Sequence, residues 1–173
     1  MSEVLNTIIK RRSVKKYKDT PVPQELIEKI TEAGAYAPTG RNLQAPIILA
    51  ISNKEKRDWL SRKNAEILGI DQDPFYGAPV VLVTLYDKSI NTGIYDASLV
   101  MENMMLAATA LGLGSCWIHR AKEVFETDEG KAFLKELGIL GEYEGVGNCI
   151  LGYVEGDYPT TRPRKENYIY YVK

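Results

Sequence analysis

The 173 residues carry 22 Lys+Arg against 23 Asp+Glu, a net charge of -1, with 45% hydrophobic and 26% charged side chains. That balance is typical of a globular chain and excludes a disordered one. It leaves no general nucleic-acid footprint, only room for a local basic cluster that grips one phosphate group.

The length suits one domain, residues 1–173, with its own core. Neither a leader segment nor a membrane span is visible, so the expected setting is the cytoplasm, with no membrane or nucleic-acid partner. Cys116 and Cys149 are isolated in apolar stretches without metal-ligand spacing. They are expected to be buried thiols, and no metal site is expected.

Ser2, followed by Val4, Leu5, Ile8 and Ile9, predicts a capped helix with one apolar face, ending as a basic run begins at Lys10. Pro23 then stands at a helix start, and Leu26, Ile27, Ile30, Ala33 and Gly34 mark one face of a second helix, blocked at Pro38. Ile47 to Ser52 and Pro79 to Tyr86 are apolar, β-branched runs that predict buried strands, with a helix from Lys54 to Gly69 between them. Asp96 is the expected cap of the longest apolar helix, which Gly112 stops.

Gly114 to Ile118 and Val146 to Val154 are further strand candidates, separated by a helix that Asp128 caps and Gly138 ends. The tail Tyr168 to Val172 is strongly β-forming and, left alone, exposes strand edge and aromatic surface, so pairing with a partner subunit is expected. The succession of elements predicts an α+β or α/β layered domain.

Two segments carry the chemistry. Lys10-Arg11-Arg12-Ser13-Val14-Lys15-Lys16 holds five cations and a hydroxyl just after a helix. It reads either as a solvated basic surface or as a phosphate grip, since forked guanidinium groups match phosphate oxygens. If the segment is extended, Arg11, Ser13 and Lys15 share a side. Between the second helix and the first strand, Pro38-Thr39-Gly40-Arg41-Asn42-Leu43-Gln44-Ala45-Pro46 is a turn-forming loop offering the Asn42 and Gln44 amides. It reads either as a plain capped loop or as a binder of a heteroaromatic ring edge.

Together the segments resemble the FMN-dependent nitroreductase family, with an Arg-x-Ser-x-Lys segment followed by a Pro-Thr-x-x-Asn-x-Gln loop. Here Ala45 is inserted before Pro46. Asp96-Ala97-Ser98, Ala110 to Ile118, Leu151-Gly152-Tyr153 and Arg162-Pro163-Arg164-Lys165 extend the likeness in the family's order. The resemblance implies a nitroreductase-like fold, a central, mostly antiparallel sheet flanked by helices, with the C-terminal strand a candidate for exchange with a partner subunit.

It implies that Arg11, Arg12 and Ser13 hold the FMN phosphate and ribityl chain, that Lys15 approaches the pyrimidine edge, and that Arg164, with Arg162 or Lys165, closes on the phosphate. Pro38, Thr39, Gly40, Asn42 and Gln44 would be the loop supplied by the other subunit of a homodimer, with FMN at the interface. Trp117, Ile118, His119 and Arg120 would run beside the ring and offer backbone donors. Arg120 stands where members commonly carry a small residue.

The implied activity is a ping-pong oxidoreductase in which NAD(P)H reduces the flavin and a small planar acceptor, a nitroaromatic or quinone, then takes the electrons. No side chain is obligatory for that chemistry. Lys15 would act electrostatically, and His119, the single histidine, reads first as structural and second as a proton donor. The alternative is a flavin-binding protein of the same fold without general turnover, for flavin storage, sensing or specialised handling. Trp59 to Tyr76, with Trp59, Phe75 and Tyr76, is the expected variable lid, although those aromatics equally suit the core edge.

Overall fold

A computed structural model describes residues 2–173. Four strands form one antiparallel sheet in the order β1-β2-β4-β3: β1 Pro46–Ile51, β2 Val80–Asp87, β3 Gly114–Ile118 and β4 Tyr143–Gly152. Around it lie α1 Glu3–Lys10, α2 Gln24–Ala35, α3 Lys54–Leu68, α4 Gly93–Ala110, α5 Ala121–Glu126 and α6 Asp128–Glu136. No helix among the described residues is long and apolar enough to cross a membrane.

The near-continuous apolar run of β2 is explained by helices on both sides of it. Val81, Val83 and Leu85 point to one layer, where Leu60 of α3, Val124 and Phe125 of α5, and Phe133 and Leu134 of α6 pack. Val80 and Leu82 point to the other, against Ile27 and Ile30 of α2 and Met101 and Met104 of α4. Period-two alternation thus feeds two cores from one strand. Each fully buried side chain of this kind contributes about 1.5–3 kcal/mol, so the central strand and α4 anchor everything else. At Gly34 a Cβ would lie 2.7 Å from Met104 Cγ, so the missing side chain sets how closely α2 approaches α4.

The helix-end signals differ in one respect from the expectation. Ser2 caps α1 by accepting from the Leu5 amide at 3.3 Å. Asp96 and Asp128 are not caps: α4 begins three residues earlier at Gly93, and Thr127, not Asp128, accepts the Gly130 amide at 3.0 Å. In both cases a threonine stands at the boundary and the aspartate falls inside the first turn, where its charge still favours the helix dipole.

The tail Tyr168 to Val172 forms no strand in the protomer, and exposure runs from 67% at Tyr168 to 99% at Val172. It does not pair with β1, an edge strand of its own sheet. Propensity alone does not make a strand without a partner.

Candidate functional site

The basic segment leaves α1 and is stitched to the far edge of the sheet. Arg11 ends the helix with φ -52° and ψ 138°, and the chain continues extended. The Val14 amide donates to the Ser115 carbonyl at 2.9 Å, Ser13 bridges Ser115, and Tyr17 bridges Val154. Val14 and Tyr17 are buried, while Ser13, Lys15 and Lys16 face out. Alternation therefore holds through Lys15 and breaks at Lys16, because Tyr17 turns inward to donate to the Val14 carbonyl at 2.8 Å. Burial pushes the Tyr17 phenol well above its ordinary value, so it stays a neutral donor.

The polar members of the segment have unequal freedom. Arg11 has one ion pair, from Nε to Glu102 Oε1 of α4 at 3.6 Å. Lys15 has no ion pair among the described residues, and its Nζ sits 5.4 Å from the centre of the Tyr76 ring. Arg12 is placed differently from the expectation. Its Nη1 donates to the carbonyls of Ile9 at 2.6 Å and Arg11, and its amide donates to the Tyr158 hydroxyl at 3.0 Å. Its guanidinium is turned back to close the end of α1, where carbonyls lack helical partners.

Beyond Ser115, β3 delivers Trp117 and Ile118 half-buried and His119 exposed. The Trp117 and His119 rings lie 6.1 Å apart, tilted by 53°. With Arg120, Lys122 and Glu123 after the strand, Ile94 and Ser98 of α4, and Glu144, Gly145 and Val146 of β4, they line an open groove. Two of its charges are paired: Lys122 Nζ lies 3.1 Å from Glu144 Oε2, and Tyr86 donates to Glu144 Oε1 at 3.0 Å. Burial pushes the Glu144 carboxyl up, yet Lys122 and Tyr86 outweigh it and hold the group below its usual range.

The loop from Pro38 to Gln44 is rigid for its length. Arg41, Asn42 and Gln44 all have positive φ, at 54°, 56° and 50°. Thr39 Oγ1 accepts the Gln44 amide at 3.2 Å, and Gln44 Nε2 donates to Asn42 Oδ1 at 3.2 Å. Asp96, buried in the first turn of α4, accepts the Gly40 amide at 3.1 Å. Arg11 meets the same helix at Glu102, six residues on, or about 9 Å along the axis. No hydrogen bond or ion pair among the described residues joins the loop to the basic segment.

Other expectations are displaced. Arg162 and Arg164 contact each other, Arg164 Nη2 donating to the Arg162 carbonyl at 2.9 Å, and Lys165 Nζ lies 5.5 Å from the centre of the Tyr168 ring; no hydrogen bond or ion pair among the described residues joins any of them to Arg11 or Ser13. Of the expected lid aromatics, Trp59 stacks on Phe133 at 4.9 Å, and Phe75 is fully buried beneath Arg57. Only Tyr76 remains at the surface near the basic segment. Apolar burial claimed Phe75 wholly and Trp59 in part, both within the core layer that holds Phe133.

Residues that sequence reasoning passed over hold the site's frame. Asn148 interrupts an otherwise apolar strand, and that interruption was a readable signal; Asn64, within a charged helix, gave none. Arg57 of α3 donates to Ala78 O at 2.9 Å and to Asp73 Oδ2 at 2.6 Å, fixing the turn that carries Tyr76.

The model of the Nitroreductase family matches residues 8–69 and 60–153. An FMN reductase [NAD(P)H] of Bacillus subtilis is 30% identical over 66% of this chain, which spans 53% of that relative's length. A nitroreductase with bound FMN from Bacteroides fragilis superposes with TM-score 0.91 at 30% identity, each chain covered in full. One from Desulfitobacterium hafniense, also with bound FMN, gives TM-score 0.87 at 26% identity, again over both whole chains. The matched model covers most of the chain and the fold superposes from end to end, so this chain belongs to the nitroreductase family.

Proposed function

We propose that the chain, as one FMN-binding domain over residues 1–173, is an NAD(P)H-dependent FMN oxidoreductase that works as a homodimer with the cofactor at the subunit interface. The observation that carries the reading is the attachment of Ser13 to Ser115. It fastens a segment rich in hydrogen-bond donors for phosphate to the strand that carries Trp117 and Ile118 and leads into His119.

The donor set suits FMN. Arg11, held by one long, partly solvated ion pair, and the outward-facing Ser13 and Lys15 offer a guanidinium, a hydroxyl and an ammonium within five residues, a combination matched to phosphate and polyol oxygens. The pre-shaped loop of Thr39, Gly40, Asn42 and Gln44 offers amide groups to a ring edge from the partner subunit. Exposed apolar side chains support association: Val4, Leu5, Ile8 and Ile9 line one face of α1, and Ile94, Tyr95 and Leu99 stand on α4. Arg162, Arg164 and Lys165, free of acidic partners among the described residues, would close on the phosphate once the tail docks.

When bound, FMN takes electrons from NAD(P)H and yields them to a planar acceptor such as a nitroaromatic or quinone. Lys15 would favour the reduced, more negative cofactor through its charge. The groove beside Trp117 and His119, open and partly apolar, would receive nicotinamide and acceptor in turn. The FMN reductase of Bacillus subtilis and the FMN-bound nitroreductase of Bacteroides fragilis point the same way.

The test is anaerobic. Purified protein should show an oxidised flavin spectrum that NADH or NADPH bleaches and a nitroaromatic or quinone restores. Protein that FMN cannot reconstitute, or bound flavin that neither nicotinamide bleaches, rejects the reading.

A further inference from the structure

Two buried side chains that have no part in cofactor binding converge on a single backbone carbonyl. Asn64 of α3 and Asn148 of β4 are both completely buried. Asn64 Nδ2 donates to the His119 carbonyl at 2.8 Å; Asn148 Nδ2 donates to the same oxygen at 3.1 Å and to the Ile118 carbonyl at 3.3 Å. Neither Oδ1 has a hydrogen-bond partner. A half-satisfied buried amide is costly, and a leucine in its place would leave the Ile118 and His119 carbonyls short of donors. Packing alone does not account for the pair.

The geometry of the next peptide does. The His119–Arg120 bond is trans, so its N–H points opposite to its C=O. With the oxygen drawn inward between α3 and β4, the Arg120 N–H is turned outward, and it finds no acceptor among the described residues. Arg120 itself sits at φ 74° and ψ 14°, the left-handed region that non-glycine residues rarely occupy. Such a conformation persists where its surroundings over-determine it. Two amides gripping the preceding carbonyl supply that constraint.

We infer that Asn64 and Asn148 are positioning residues, which lock the His119–Arg120 peptide so that the Arg120 N–H is presented as a fixed donor to the flavin ring. The inference rests on the FMN reading above and concerns which residues of this chain set the donor. A donor held in place before reaction stabilises charge that develops on reduction without reorganising for it. The midpoint potential of the bound flavin therefore reports on the clamp directly, and a plug that merely filled space would leave it unmoved.

The experiment compares wild type with Asn64→Leu and Asn148→Leu, each loaded with FMN. Addition of FMN should shift the Arg120 amide resonance in wild type and leave it nearly unmoved in each variant. The potential should become more negative in both variants while FMN affinity is retained through the basic segment. Flavin reduction by NAD(P)H should slow by at least ~10-fold, part of the ~10²–10³-fold lost when a preorganised donor is removed outright. Where a leucine variant does not fold, Asn64→Ser or Asn148→Ser, too short to reach the carbonyl, gives the same readings. Unchanged potential and an unchanged FMN-dependent Arg120 shift in a folded, loaded variant overturn the clamp. A wild type that takes up no FMN rejects the underlying reading, and does so before any variant is compared.

Discussion

Asp96 Oδ1 accepts the Gly40 amide at 3.1 Å, joining the first turn of α4 to a loop 56 residues away in sequence. Its other oxygen accepts the Thr92 hydroxyl at 3.0 Å, so one buried carboxylate organises both the helix start and the loop. Asp96→Ala should cost about 1–3 kcal/mol, because it leaves the Gly40 amide and the Thr92 hydroxyl unpaired in a half-buried site. Urea denaturation measures this. A variant as stable as wild type would show that the loop holds its shape without α4.

Arg11→Ala should weaken FMN binding by about 1.5–3 kcal/mol, the worth of a charge-assisted contact. The ion pair to Glu102 is long at 3.6 Å and partly solvated, so it adds little to folding, and thermal stability should hardly move. Fluorescence titration with FMN, beside a melting curve, separates the two effects. Unchanged affinity would remove Arg11 from the phosphate site.

Asp73 should make stability depend on acid. Burial pushes its carboxyl up, but hydrogen bonds from Ser61, Arg57 and the amides of Gly77 and Phe75 outweigh burial and leave it below the ordinary value of 3.8. A carboxyl depressed in the folded state stabilises the fold above its unfolded pKa, and that stability is lost as pH falls through the folded value. Asp73→Asn should therefore be less stable than wild type near neutrality, with the gap closing as pH drops below about 4. Melting curves at a series of pH values read the gap, and a constant one would contradict the assignment.

The two cysteines should be inert while the chain is folded. Burial pushes the Cys149 thiol far up. It also raises Cys116, against the opposing pull of Ser13, Lys15 and Arg11. Since the thiolate is the reactive form, a disulfide reagent such as Ellman's should titrate neither in native protein and both in denaturant. Rapid labelling of native Cys116 would mean that the basic segment lifts away from β3.

Removal of Tyr168 to Lys173 should weaken self-association, since the tail is exposed throughout and forms no strand within its own chain. Light scattering behind a sizing column gives the mass. A deletion variant that stays dimeric across a dilution series would deny the tail an interfacial role.

Local chemistry was readable wherever the answer lay within a few residues. The bounds of β3, the Ser2 cap and the stop after α4 all follow from side chains next to one another in sequence. At Gly112 the backbone has φ 78°, a turn that glycine adopts without steric cost. Asp96 misled because a threonine four residues earlier competes for the same helix end, and sequence alone does not rank two capping residues so close together.

What the sequence determined by itself is most of the helices and strands, the family they resemble and the basic segment that opens the site, whereas the single helix expected between β3 and β4 is two, α5 and α6. Periodicity and short motifs are local, and six such motifs in order leave few alternatives. Only the tertiary structure decided which cations are free. Arg12 is consumed by carbonyls at the end of α1 while Arg11 and Lys15 remain available. Only the fold could bring Asn64 and Asn148 to the His119 carbonyl, because they arrive from α3 and β4, separated by 84 positions in the chain. Hydrogen-bond satisfaction in a buried site is settled by packing among distant elements, and no local pattern encodes it.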